Sequence, residues 1–445
     1  MSLFVKKPIS VLLAEAADTE KGLKKTLSAG ALVALGIGAI IGAGLFVRTA
    51  AAAAQSAGPS VTIGFIVAAI GCALAGLCYA ELSSSIPISG SAYTYTYATM
   101  GELMAWIIGW DLVLEYAVGA ATVGIAWSEY LNNLLVNVFH WKAIAYEWCH
   151  SPFQHSIPDA TGVIHHGILN IPAFGIVSLL SLLLIKGTQE SAFVNGIIVI
   201  AKVAIVILII IFGWSFINPA NHVPYIPEPS TFTDHAGVTH AFGGIMGILG
   251  AAGTVFFAFI GFDAVSTAAQ ETKNPKVAMP IGILGSLAVC TVLYILFAHV
   301  LTGLGDVNFF RTEGGEASVV AAINKFMPGY SWLGKLVTVA ILAGFSSVIL
   351  VMLLGQSRVF YSMSKDGMLP KVFSDVHPKY KTPYKANLFI LVIVGSFAAL
   401  VPGDIVGDMT SIGTLFAFML VCIAVIILRK TDPDLPRQFK TPWVP

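Results

Sequence analysis

The chain has 445 residues, of which 56% are hydrophobic and only 11% charged, with a mean hydropathy of +0.83. About a quarter of a soluble domain is charged, so this balance points to a polytopic membrane protein. Lys plus Arg and Asp plus Glu are 24 each, so the zero net charge gives no basic surface for nucleic acid. Cys72, Cys78, Cys290 and Cys422 lie in apolar stretches and Cys149 in a connection, which suits neither a disulfide framework nor a thiolate metal site.

The polar, lysine-bearing segment from Met1 to Lys25 leads into a charge-free run from Thr26 to Val47. That run is long enough to cross a hydrocarbon core of ~30 Å as a helix and too long for the core of a cleaved leader. Its centre carries Gly36, Gly38, Gly42 and Gly44 within GAIIGAGLF. Glycine weakens a helix, and a helix broken in lipid survives only where protein, water or a ligand pairs its freed N–H and C=O groups. A break at the midplane is therefore a candidate ligand site, with a GxxxG packing face of Gly38 and Gly42 as the alternative use.

Charge-poor stretches at 27–47, 59–80, 103–138, 169–186, 193–217, 241–269, 281–304, 332–361, 386–401 and 405–428 predict ten spans and an all-α fold. Most Lys and Arg fall in segments on the side of the N-terminus, which the positive-inside rule places in the cytoplasm, with the protein multi-pass in the plasma membrane. Ten spans divide into five and five, and an odd number per half inverts the second half. The sixth span should mirror the first. Gly243, Gly247, Gly250, Gly253 and Gly261 interrupt it, and FFAFIGFD (256–263) surrounds the expected break. Two glycine-interrupted spans in corresponding places mark a secondary transporter's binding site. The expected organisation is a cytoplasmic segment 1–26, a first repeat 27–217, a second repeat 241–428 and a cytoplasmic tail 429–445.

The connection from Phe139 to Asn170 carries five histidines, His140, His150, His155, His165 and His166, at spacings that fit no zinc pattern, so no metal is expected. The segment Asp306 to Ser331 is a candidate lid. The sharpest polar signal is Lys202, deep in the fifth span, where a lysine is a functional signal by default. It reads either as a proton carrier or as a fixed charge tied to helix-end carbonyls. Glu115 and Asp111 share a face of the third span, with Glu115 the deeper and a candidate partner for a cationic substrate group. Asp263 follows the sixth-span break and either joins in proton coupling or caps the resumed helix. Ser346 and Ser347, with Gly344, shape a pocket or let helices approach. GYSWLGKL at 329–336 resembles a phosphate loop but has Leu336 where the magnesium-binding hydroxyl belongs, so no nucleotide or other cofactor is expected. No catalytic triad, metal set or paired intramembrane aspartates appear, so the chain does not read as an enzyme.

GAIIGAGLF, FFAFIGFDAVSTAAQETKNPKVAMPIGI from Phe256 and SRVFYSMSKDGMLPKVFSDVHPKYKTP from Ser357 resemble the amino acid, polyamine and organocation superfamily, nearest its cationic amino acid transporters. The resemblance covers nearly the whole chain. It implies a LeuT-like five-plus-five inverted repeat with discontinuous helices 1 and 6, carrying free amino acids by alternating access. It places the substrate carboxylate at the amides of Gly42, Ala43 and Gly44, and the ammonium at the carbonyls of Ile40, Phe257 and Ile260, with the Phe257 ring closing over it. Glu115, Ser346 and Ser347 would then choose the side chain, alanine-like or arginine- and lysine-like. Lys202 matches a position where sodium-coupled relatives bind their ion, which implies proton symport; an exchanger or a transporter-like receptor is the alternative. FKTPWVP at 439–445 resembles the loop before an eleventh helix, which is missing here.

Overall fold

The computed structural model describes residues 4–17, 23–42, 44–153, 166–233, 239–312 and 318–444. The first span starts where the Ser28 hydroxyl accepts the Ala31 N–H at 3.3 Å, an N-cap for the helix Ala29–Ile40. Twelve residues reach only ~18 Å, about half a bilayer. At Ile41 the backbone turns extended (φ −76°, ψ 102°), and winding resumes at Gly44–Arg48 and runs on through Ala53–Ala57. Gly58, at φ 55°, turns the chain with Pro59 into the second span, Val61–Ser85. The apolar stretch Gly44–Ser85 thus holds the far half of one span and all of the next.

Spans three to five are Glu102–Asn137, Ile171–Lys186 and Thr188–Trp214. The sixth runs as Gly244–Phe256, tightens to a 3-10 turn at Phe257–Phe259 and resumes as Asp263–Glu271. Spans seven to ten are Pro275–Leu304, Ser331–Lys365, Tyr384–Leu400 and Gly403–Thr431. Among the described residues, seven helical stretches are long and apolar enough to cross a membrane, and three shorter apolar helices (Ala29–Ile40, Ile171–Lys186 and Tyr384–Leu400) accompany them.

Packing reveals the internal symmetry. Span two packs on seven, three on eight and four on nine, each with the span five places on. Other pairings come in couples: one with seven and six with two, five with eight and ten with three, five with seven and ten with two. Exchanging the first five spans for the last five leaves these pairings unchanged. This is the five-plus-five LeuT-like architecture, with helices 1 and 6 discontinuous.

Among the described residues, a two-stranded sheet departs from the all-α expectation. Ser230–Thr233 pairs antiparallel with Thr239–Phe242 in a two-stranded hairpin between spans five and six. The expected start of span six at 241 therefore lies in a strand: Ala241 and Phe242 continue the apolar pattern, but Gly243, at φ 75°, separates strand from helix. The fifth span begins at Thr188 rather than 193, and the tenth extends to Thr431.

The candidate lid covers the far half of the first span. Arg311, in the helix Val307–Thr312, donates through Nε to the Ala54 carbonyl at 2.9 Å, and its guanidinium lies 4.1 Å and 4.5 Å from the ring centroids of Phe232 and Phe242 on the hairpin. The face that carries both termini is closed by charge. Thr26 and Leu27 donate backbone N–H groups to the Glu271 carbonyl, while the Glu271 carboxylate accepts Nη2 and Nε of Arg358 at 2.7 Å and 3.1 Å, both side chains fully buried. On the same face Lys7 pairs with Asp366, which also accepts the Tyr93 hydroxyl, and Arg429 forks onto Glu81.

Candidate functional site

The break in the first span frees carbonyls that no helical N–H can reach. Lys202, fully buried on the fifth span, takes them: its Nζ donates to Gly38 O and Ile41 O at 2.8 Å each, with Ser347 Oγ at 3.4 Å. An ammonium has three protons, and here it has three acceptors. Ser347, on the eighth span, donates to Gly38 O at 2.9 Å and lies 2.6 Å from Asn195 Oδ1, and Asn195 in turn donates to Ala34 O at 3.1 Å. Three spans thus meet on one unwound stretch. Gly38 permits it, since a Cβ there would lie 2.5 Å from Asn195 Oδ1 and 2.7 Å from Ser347 Oγ. The packing use of this glycine and the break coexist.

The sixth-span break satisfies itself differently. Ile260 N–H returns to the Phe257 carbonyl at 3.3 Å, Ile260 turns extended (φ −57°, ψ 138°), and Gly261 adopts φ 110° with no room for a side chain, since a Cβ there would lie 2.8 Å from Ala39 Cβ. The two breaks touch: a Cβ on Gly44 would overlap the Cα of Ala258. Tyr294 of the seventh span joins them, its hydroxyl 2.7 Å from Ile40 O and 3.0 Å from Ala258 O.

Between the breaks lies a cavity of about 20 Å³, the room of a single water. Ile40, Gly42, Gly44, Phe257 and Ile260 face it from the broken spans, and Val123, Val348 and Met352 close it from spans three and eight. The Arg48 guanidinium lies over the Phe257 ring at 5.4 Å. Its lining combines backbone ends of a half-helix with an apolar wall, chemistry that suits a small molecule with charged head groups and an aliphatic remainder once the spans part to admit it.

Ile40, Gly42, Gly44, Phe257 and Ile260 thus line one cavity; Ala43 lies outside the described residues. Ser346 and Ser347 do not line the cavity: Ser347 braces the first break, and Ser346 accepts the Trp127 indole N–H at 3.0 Å while donating to Leu342 O. Glu115 does not line it either. Its Oε1 accepts the Thr414 hydroxyl at 2.6 Å, and it precedes the cavity residue Val123 by eight positions, ~12 Å along a helix. Asp263, in the first turn of the resumed segment, accepts the Tyr116 hydroxyl at 2.6 Å, and neither Glu115 Oε2 nor Asp263 Oδ1 has a partner among the described residues. Tyr294, Asn195 and Trp127 are the contributions that the sequence reading missed. A phenol or an amide in the middle of an apolar span was the available signal.

The sequence matches the amino acid permease family over residues 27–445. It is 44% identical to the branched-chain amino acid permease BcaP of Bacillus subtilis (strain 168), across all of this chain and 89% of that protein. It is 40% identical to the methylthioribose transporter of the same organism, again across the whole chain and 89% of the relative. It is 33% identical to cationic amino acid transporter 4 of Mus musculus, over 94% of this chain and 62% of the longer relative. With broken helices facing one another inside a five-plus-five bundle and a family match that spans all ten crossings, the chain belongs to the amino acid permease family of polytopic membrane transporters.

Proposed function

We propose that this protein is a secondary carrier of free aliphatic amino acids, which it binds as zwitterions between the two helix breaks. The apolar wall of Val123, Val348 and Met352 facing the break ends carries this reading. Amides at Gly42, Ala43 and Gly44, opening the far half-helix, suit the carboxylate, because freed N–H groups and the positive end of a helix dipole attract an anion. Carbonyls of Ile40, Phe257 and Ile260 suit the ammonium; those of Ile40 and Phe257 accept one hydrogen bond each and retain a lone pair for another. The side chain then meets hydrocarbon. Glu115, engaged with Thr414 a turn or more away, is not positioned to select arginine or lysine. The 44% identity to a branched-chain amino acid permease points the same way.

Residues 27–217 and 241–428 form the two repeats, which rock around the bound amino acid. Segments 1–26 and 429–445 flank them on the cytoplasmic side of the cell membrane. In this reading Lys202 couples the proton to this motion, with Asp263 as a second proton-bearing group. As an ammonium, Lys202 has a proton for each of the three acceptors around it; as an amine it keeps two protons for the carbonyls of Gly38 and Ile41, and its lone pair can accept the Ser347 hydroxyl, which would turn that hydroxyl away from Gly38 O and Asn195 Oδ1. Loss of a proton therefore withdraws the brace that Ser347 of the eighth span gives the first break. A second reading, exchange without protons, is favoured by the same complete set of acceptors, which suits a permanently charged lysine.

Uptake of labelled valine into sodium-free proteoliposomes, challenged with unlabelled leucine, alanine and arginine, tests the substrate assignment. Leucine and alanine are expected to compete and arginine to be without effect. Competition by arginine alone would overturn the aliphatic assignment.

A further inference from the structure

A second, larger cavity of about 670 Å³ opens on the outside of the bundle, where the third and fourth spans meet the connection between them. Trp127 and Leu131 form its floor, Pro172, Gly175 and Ile176 one wall, and Trp148 its rim. The concavity comes from the fourth span. Proline early in that helix and glycine one turn later remove the bulk that would fill it, and a Cβ at Gly175 would meet nothing within 4 Å.

The polar group nearest the floor is already engaged: the Trp127 indole N–H points inward to Ser346 Oγ at 3.0 Å. What remains for a ligand is hydrocarbon. The cavity opens along the apolar flank of the fourth span, where Leu179 is 61% exposed. Trp148 at its rim, with exposed Trp141 and Phe139 nearby in the connection, marks the level of the membrane interface. Lys142, exposed, lies two residues before the lining residue Ile144 in the same connection. A long apolar groove below an interfacial aromatic rim and a lysine fits an anionic amphiphile standing in the bilayer.

We propose that this groove is a lipid site that holds one acyl chain of an anionic glycerophospholipid, drawn from the leaflet beside the 139–170 connection. The chain backs the Trp127 indole, whose hydrogen bond to Ser346 lies one residue from the Ser347 hydroxyl that braces the first-span break. The bound lipid is thereby a positioning element for the eighth span.

Phosphatidylglycerol carrying a diazirine in its acyl chain, incorporated into nanodiscs with the full chain, tests this by photolabelling and peptide mapping. Adducts are expected on the segment 171–179 and to fall at least about fivefold in Gly175→Trp, the effect of losing ~1 kcal/mol of binding. Adducts on the lipid-exposed Ile200 and Val392 should not change. Gly175→Leu, with a smaller side chain in the same open space, should give an intermediate loss and guards against misfolding of the tryptophan variant. Trp127→Phe should keep the adducts and slow valine uptake. Equal labelling of the groove in wild type and both Gly175 variants, labelling no denser than at Ile200, or capture of a photoreactive sterol in place of the phospholipid would each overturn the proposal.

Discussion

The two helix breaks occupy corresponding places in the two halves, yet their freed backbone groups are satisfied by different chemistry. At the first break the carbonyls of Gly38 and Ile41 depend on a lysine from a neighbouring span. At the sixth the chain closes on itself through a 3-10 turn, with Gly261 taking the left-handed angle and the Tyr294 hydroxyl covering Ala258. A cation can change its number of protons and a 3-10 turn cannot. Symmetry of fold therefore coexists with asymmetry of chemistry: in the proposed mechanism the first break is the element that a proton can switch, and the sixth is the surface it is switched against.

Breaking the first side of this comparison should have the largest effect. Lys202→Ala strands the Ile41 carbonyl at about 1–3 kcal/mol and leaves Gly38 O to Ser347 alone; a fall in thermal stability together with loss of gradient-driven uptake is expected, measurable by a fluorescence melt and a transport assay on the same preparation. Gly44→Ala comes next. Its methyl group meets the backbone of Ala258, which cannot rotate away, so overpacking of about 1–3 kcal/mol should force the breaks apart; calorimetric titration with valine should show affinity reduced tenfold or more, about 1.4 kcal/mol.

Tyr294→Phe sharpens the comparison by removing the one group shared between the breaks. Loss of a net hydrogen bond, about 0.5–1.5 kcal/mol, predicts a several-fold rise in KM for valine with the fold intact. The smallest effect on valine binding is expected from Glu115→Gln, which keeps the shape and the acceptor for Thr414. Valine affinity within about twofold of wild type (~0.4 kcal/mol) is expected, and a larger change would place Glu115 in the substrate pocket after all.

Much of this was legible in the sequence because lipid imposes a simple rule: a segment without charge crosses, and glycine in its middle marks where the crossing fails. Lys202 stood out for the same reason. The partners were not legible, since nothing local in the chain says that Tyr294 reaches Ile40, 254 positions away, or that Ser346 faces Trp127. Glu115 illustrates the limit. Its depth followed from position, but its direction depends on how the third span is rotated against the tenth, where Thr414 waits. Arg358 shows the same limit: it falls within the expected span 332–361, but the partner that lets it be fully buried there, Glu271 of the sixth span, lies 87 positions away. The hairpin at 230–242 escaped notice because its second strand is apolar and runs directly into the sixth span.

The central claim is that Lys202 links proton movement to the first break, and substrate-driven proton flux tests it most directly. An inward valine gradient imposed on proteoliposomes containing a pH-sensitive dye should acidify the lumen for wild type and leave it unchanged for Lys202→Ala, while counterflow of valine persists in the variant. Acidification of equal size in both proteins, or valine entry into wild type with no proton movement, would contradict the account.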